Sequence, residues 1–581
     1  MSKNAPPDDL EKLPRMAHWF NPILLSKLLL QVIVSGVFGQ YADRRLIVAA
    51  LDIVPDHELV ARADISDVAK PDSEGAVWID YAADLGDGFD ATYAVASLLG
   101  QDTLSVDSLS LPRGCALILG GDEVYPTADR ASYLKRMIEP YSWANPDVGV
   151  STPPLLLALP GNHDWYDGLV TFLAFFARKK STRIGQWRTR QRRSYFAVKL
   201  SELCWLWAID VALVEDMDQP QADYFVAIAH AMTQGSNIIL CSAEPGWYKA
   251  EEDSESYRTL SYAANIAQNA GRALKIPLVL SGDTHHYSRY STQKGTQYIT
   301  SGGAGAFLHG THHLPDTIKA DWLGDSNSIL SLKTDPGRGH AATETRAVWP
   351  RDRESKRLLY WNLIFPILNW DFAIFLGALY TFFVFAITSL PRVDVAVVVL
   401  AVLVAGFVGY SGYQEKWKRR SVVAGLVEAL IQFVAILGFA AVATSLVPIH
   451  STLNWWLWLL LLSVFVVPIG GLIGSFLFGL KLFVTCRWFN LNHNDAFSAI
   501  RLYDYRHFLR IKILGDEITV YAIGLRRVPR RGEWRKTEGG VPRLSPERPL
   551  APELIERPIV ISALGIATTQ EIKKPDQLKA P

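Results

Sequence analysis

Leu155-Leu156-Leu157-Ala158-Leu159-Pro160-Gly161-Asn162-His163-Asp164 passes directly from an apolar run of strand length into a loop that holds an amide, an imidazole and a carboxylate. A short apolar run bounded by Pro and Gly reads as a buried strand. Three other stretches behave in the same way. Ala76 to Ala83 leads into Asp84-Leu85-Gly86-Asp87, Cys115 to Leu119 into Gly120-Gly121-Asp122-Glu123-Val124-Tyr125, and Pro277 to Leu280 into Gly282-Asp283-Thr284-His285-His286. Further strand-like runs are Cys204 to Ile209, Ile238 to Cys241 and Gln297 to Thr300, with helical patterns between several of them. The fold class is therefore α/β, with polar groups gathered at strand ends, where such folds place their sites.

Carboxylate, amide oxygen and imidazole are the donors that hard or borderline cations take. Phosphate-ester hydrolysis at neutral pH needs an activated nucleophile and neutralisation of charge on phosphorus, and two cations about 3.5–4 Å apart supply both. The loops offer Asp84, Asp122, Asn162, Asp283 and His285 for that purpose.

These motifs resemble the calcineurin-like metallophosphoesterase superfamily, whose signature runs Asp-x-His, Gly-Asp-x-x-[Asp/Tyr], Gly-Asn-His-[Asp/Glu], a lone His, then Gly-His-x-His. The resemblance covers residues 76 to 305, and Gly161-Asn162-His163-Asp164 is its strongest element. It implies a four-layer αββα sandwich and a dinuclear centre of manganese, iron or zinc, with Asp122 bridging and Asp84 and Asn162 as ligands. It further implies that His163 acts as general acid or phosphate contact, oriented by Asp164.

The departures are informative. Gly86 stands where many members have His, a form similar to the purple acid phosphatase branch, in which a Tyr at the spacing of Tyr125 ligates iron. Ala243 replaces the lone His and leaves Glu244 as a substitute ligand, Asp283 replaces the first His of the last pair, and His286 is a candidate substrate contact. Carboxylate in place of imidazole shifts preference from zinc towards manganese, magnesium or iron.

Other features bound the reading. With 58 basic and 58 acidic side chains in 581 residues, no nucleic-acid partner is indicated. Cys115, Cys204, Cys241 and Cys486 show no CxxC pattern and read as buried apolar residues. Asp8, Asp9, Glu11 and three prolines in the first 18 residues do not make a signal peptide. Between Ile23 and Phe38, Lys27, Gln31 and Ser35 recur every four residues, which predicts an amphipathic helix packed on the domain or lying at a membrane interface.

Four spans are expected at Phe372 to Leu390, Val393 to Tyr413, Val422 to Val447 and Trp455 to Leu480, with Trp361, Trp370, Trp417, Trp455, Trp456 and Trp458 as an interfacial belt. Arg351, Arg353, Lys356, Arg357, Lys416, Lys418, Arg419, Arg420 and Arg487 lie on one side and Arg392 on the other. The positive-inside rule then predicts a multi-pass protein with its catalytic domain and C-terminus in the cytoplasm. Glu428 and Gln432 fall one turn apart inside the third span, and no second buried charge supports a transport path. Eight Lys or Arg between Arg178 and Arg193, without an acid, suggest contact with anionic membrane lipids.

The expected organisation is a lead-in with the amphipathic helix over 1–75, a metallophosphoesterase domain over 76–350 and a four-helix transmembrane bundle over 358–487. A small β-hairpin region over 488–535 and a partly disordered tail over 536–581 follow. The expected activity is hydrolysis of a phosphomonoester, phosphodiester or pyrophosphate, lipid or nucleotide derived, by metal-activated water. The rival reading, motivated by Ala243 and Asp283, is a catalytically degenerate metal or ligand sensor that signals through the bundle.

Overall fold

The computed structural model describes residues 6–39, 43–149, 151–211, 216–252, 255–323, 325, 328–335, 345–390, 393–446, 453–537, 543–562 and 567–569. The chain forms two compact units: Met1–Ala17, Leu30–Asp352 and Tyr503–Pro581 make the first, and His18–Leu29 with Arg353–Leu502 the second. Arg392 and Val447 lie outside the described residues.

The first unit is mixed α/β and rests on two sheets. In one, parallel strands β1 (Val77–Ala82), β2 (Ala116–Leu119) and β3 (Leu155–Ala158) lie side by side. In the other, β4 (Cys204–Ile209), β5 (Asn237–Ser242) and β6 (Lys275–Ser281) run parallel, and β6 is followed by the antiparallel pair β7 (Tyr287–Ser291) and β8 (Gln297–Ser301), of which β8 is parallel to β6. Side chains alternate across a strand, and β4 uses both faces. Cys204, Leu206 and Ala208 join Ile79, Leu117 and Leu156 in a core shared by both sheets. Trp205, Trp207 and Ile209 instead join Phe225 and Ile228 of helix Gln219–Ala231 and Leu260 and Ala264 of helix Glu255–Asn269. Burial on both faces explains why these strands read as continuous apolar runs.

The hairpin expected around Gly515-Asp516 forms, and it belongs to the first unit rather than standing as a region of its own. Strands β9 (Arg506–Leu514) and β10 (Glu517–Leu525) extend the first sheet, with β9 antiparallel to β1 from Val77–Ile513 to Tyr81–Leu509. Asp80, the one acid inside β1, is answered from β9: Arg510 Nε donates to its Oδ1 at 2.7 Å and Nη2 to its Oδ2 at 3.2 Å. The described part of the tail is folded into the first unit. Of 536–581, residues 536–537, 543–562 and 567–569 are described, Leu554, Ile555, Ile559 and Ile561 are buried, and Glu556 forms a buried pair with Arg289 of β7 at 2.9 and 3.1 Å.

Met1–Ala17 and the lead-in from Leu30 onward are likewise part of the first unit, whereas His18–Leu29 belong to the second. Ala63, Ile65 and Val68 are buried, and Arg531 donates to Leu10 O at 2.6 Å, Leu13 O at 3.0 Å and Asp90 at 2.9 Å. Helix Pro22–Gly39 forms as expected, but Ile23, Leu25, Leu29, Leu30 and Ile33 are exposed, so packing on the domain does not cover them. Within the basic run Arg183 pairs with Asp147, Arg190 with Asp67, and Arg193 with Asp52 at 3.7 Å, while Arg178, Lys179 and Lys180 stay exposed.

The second unit contains four helices long and apolar enough to cross a membrane: α1 (Trp370–Ser389), α2 (Val393–Gln414), α3 (Arg419–Ser445) and α4 (Trp455–Val484). A Cβ at Gly377 would come 2.1 Å from Val467 O and one at Gly471 2.3 Å from Ala373 O, so α1 and α4 meet through small residues. Gln432 donates to Glu428 Oε1 at 2.6 Å and to Gly474 O at 3.0 Å, and accepts from Tyr380. Two sequence expectations change here. Trp458 is buried among the helices, unlike the exposed Trp370, Trp455 and Trp456. Lys481 is a second buried charge, because α4 continues past Leu480 for another turn.

Candidate metal centre

Asp84, Asp122 and Asp283 each follow a strand and each adopt a left-handed backbone, with φ of 60°, 54° and 63°. Such a conformation is uncommon for any residue with a side chain and costs about 1–3 kcal/mol unless its surroundings enforce it. The enforcement is visible. Asp84 N donates to Gly121 O and Leu85 N to Asp122 O, both at 2.9 Å, while Ala306 N donates to Asp84 O at 2.9 Å. Two glycines make room for the carboxylates: a Cβ at Gly161 would lie 2.1 Å from Asp122 Oδ1, and one at Gly302 2.4 Å from Asp84 Oδ2.

The side chains converge on one point. The Tyr125 hydroxyl lies 2.7 Å from Asp84 Oδ1, 2.9 Å from Asp122 Oδ2 and 3.0 Å from His285 Nε2. His285 Nδ1 is 2.7 Å from Phe307 O, and a carbonyl only accepts, so the proton sits on Nδ1 and Nε2 presents a lone pair. The imidazole also stacks on His309, with centroids 4.4 Å apart. One phenolic proton thus faces three acceptors and satisfies one of them at a time. Four donor atoms around a point with too few protons are the arrangement a cation resolves.

The electrostatics agree. Burial and then the charge of Asp283 push the Asp84 carboxyl well above its ordinary range. Asp122 is raised by burial and by Asp84, and the Tyr125 phenol by burial and Asp122. Burial and then His309 hold His285 well below its usual value.

A second set adjoins the first. Asp283 N donates to Asp84 Oδ2 at 2.9 Å, and its carboxyl is pushed up to about 7 by burial and by Glu244. Glu244 lies 4.0 Å from Lys249 Nζ, a cation the motif reading did not include. Asn162 Oδ1 is buried and has no hydrogen-bond partner among the described residues. An orphaned buried amide oxygen suits a hard cation, and Asp84, Asp122, Tyr125 and His285 fit one metal position; Asn162, Asp283 and Glu244 are the remaining candidate ligands.

Two expected roles are corrected. Asp164 does not orient His163: it accepts from Gly161 N at 2.9 Å, Glu123 N at 3.3 Å and Tyr133, and so braces the loop backbone. His163 instead places Nδ1 3.1 Å from Pro126 O, which leaves Nε2 without the proton. Burial, opposed by that bond, lowers its pKa to about 4, so no carboxylate raises it. His286 does not join the converging donors; its Nε2 is 3.3 Å from the Tyr248 hydroxyl, which also lies 2.5 Å from Ser288 Oγ. Tyr133, Tyr248 and the Phe307 carbonyl carry no local sequence signal, since each acts through a contact distant along the chain.

Neither the models of known protein families nor the curated proteins give a match to this chain.

Proposed function

We propose that the first unit is a metal-dependent phosphoesterase of the calcineurin-like kind, a four-layer αββα sandwich held at the inner face of a membrane by the four helices. The observation that carries the proposal is the convergence of Asp84, Asp122, Tyr125 and His285, from loops after strands of both sheets, on a point with more acceptors than protons. The departures from the common signature favour iron or manganese over zinc, because Asp283 stands where an imidazole usually serves and Glu244 adjoins Ala243, which replaces another. Two bound cations would neutralise charge on a phosphoryl group and activate a water for attack.

The chain's own residues supply the remainder. Asp122, whose Oδ1 accepts from His163 N at 2.9 Å, would be among the residues that hold the cations. His163, with Nδ1 committed to Pro126, presents the Nε2 lone pair, which would accept a proton rather than supply one. Lys249 adds positive charge beside Glu244 and Asp283. The basic residues flanking the spans support a cytoplasmic site, and a phosphate ester of a lipid or a nucleotide suits a site held there.

The test uses the full chain in detergent, loaded with iron, manganese or zinc and assayed on aryl phosphate mono- and diesters. Metal-dependent turnover is expected. The ferric protein should also show a visible phenolate charge-transfer band that Tyr125→Phe removes while the fold, read by circular dichroism, persists. A folded, metal-loaded protein that hydrolyses none of these esters would favour the sensor reading.

A further inference from the structure

Between α3 and α4 a groove of about 290 Å³ opens to the side of the helices. One wall is a single face of α3, carrying Arg420, Val427, Glu428 and Ile431; the other is α4, carrying Leu477 and Lys481. Val427 and Ile431 are exposed at its mouth, whereas Glu428 and Lys481 form its back wall, 2% and 8% exposed.

Helix lengths set the depth of these groups. At 1.5 Å per residue the 30 residues of α4 span about 45 Å, against a hydrocarbon core of about 30 Å. With the exposed Trp455 and Trp456 at one interface, Lys481 lies about 37 Å along the axis, at the level of the opposite headgroups. Arg420 is the second residue of α3 and reaches the same level. Val427, Ile431 and Leu477 lie deeper, in the acyl region. Glu428 accepts from Gln432 at 2.6 Å, and Lys481 Nζ donates to Ser411 Oγ at 3.2 Å and lies over the Tyr410 and Phe478 rings.

We infer that this groove binds one anionic glycerophospholipid, its phosphate between Arg420 and Lys481 and an acyl chain along Val427 and Ile431. Two cations at headgroup level above an apolar channel match an anionic amphiphile, and the guanidinium fork suits phosphate oxygens. The space admits part of an acyl chain but not a helix about 10 Å across. The inference rests on the membrane reading of the four helices and is independent of the metal centre.

The experiment is native mass spectrometry of the full chain in mild detergent, after exchange against phosphatidylglycerol and phosphatidylcholine of identical acyl chains. One phosphatidylglycerol is expected to be retained, and Arg420→Gln, at an exposed position, to weaken retention about fivefold. Ala424→Trp, which fills the groove, should abolish it. Equal retention of the two lipids, unchanged retention in Arg420→Gln, or displacement by inorganic phosphate would overturn the inference. A chain that stays in solution without detergent would fault the membrane reading itself.

Discussion

Asp122→Asn is expected to lower metal-dependent phosphoesterase turnover by about 10³-fold or more, since a shared carboxylate supports several kcal/mol of charge stabilisation and each 1.36 kcal/mol is tenfold in rate. The amide keeps the shape but neutralises the charge, so metal content measured by mass spectrometry should fall from two equivalents. The same substitution should stabilise the metal-free protein at alkaline pH. The Asp122 carboxyl is raised by burial and by Asp84, so its ionised form is disfavoured by folding. A carboxyl raised in the folded state costs nothing below its unfolded pKa of about 4; its penalty grows as the pH rises and is complete above the folded pKa. Asp283, pushed up to about 7, adds a penalty that develops between those two values. Metal-free Asp122→Asn should therefore melt above the parent at pH 8 and beside it at pH 4, and added cation should stabilise the parent alone. Full turnover with two bound metals in the variant would refute the assignment of Asp122.

The loops that carry this prediction were legible because each lies within a few residues of the strand that presents it. Asp84, Asp122 and Asp283 are announced by an apolar run and a neighbouring glycine, and Tyr125 by its spacing from Asp122. What escaped reading acts over long separations. Phe307 O fixes the tautomer of His285 from 22 residues away, and Tyr133 takes the acceptor face of Asp164 from 31. Proximity along the chain suggested that Asp164 served His163, but a helical turn begins at Asn162 and carries adjacent side chains to different sides, so Asp164 turns back to Gly161 N. The spans were legible from length and apolarity alone, whereas Lys481 was not, because a cation at the end of an apolar run reads as a boundary until the helix is seen to continue. The largest omission was β9, which local pattern identifies as half of a hairpin and nothing local identifies as the neighbour of β1.

That omission leads to the second large effect. Arg510→Met is expected to destabilise the first unit by about 3–5 kcal/mol, the cost of leaving one partner of a buried ion pair alone. Asp80 is 3% exposed at its side chain and Arg510 fully buried, and the carboxylate keeps only Gly114 N at 3.0 Å once the guanidinium is gone. Asp80→Leu should cost a similar amount. The double variant Asp80→Leu with Arg510→Met should recover most of the loss, because an apolar pair of similar volume is often neutral where a broken pair is not. Thermal unfolding of the full chain measures all three. Single variants within 1 kcal/mol of the parent, or a double variant as poor as the sum, would show that the pair does not hold β9 to β1. The consequence reaches the site, because β9 begins at Arg506, which donates to Ala306 O, and His507 N donates to Gly303 O at 3.1 Å. Ala306 N in turn holds Asp84 O at 2.9 Å. Loss of the pair should therefore also weaken metal binding by about 10–100-fold, the usual effect of disturbing groups that hold ligands in place. Restored stability in the double variant should restore that affinity, so the two measurements must move together if β9 positions the Asp84 loop.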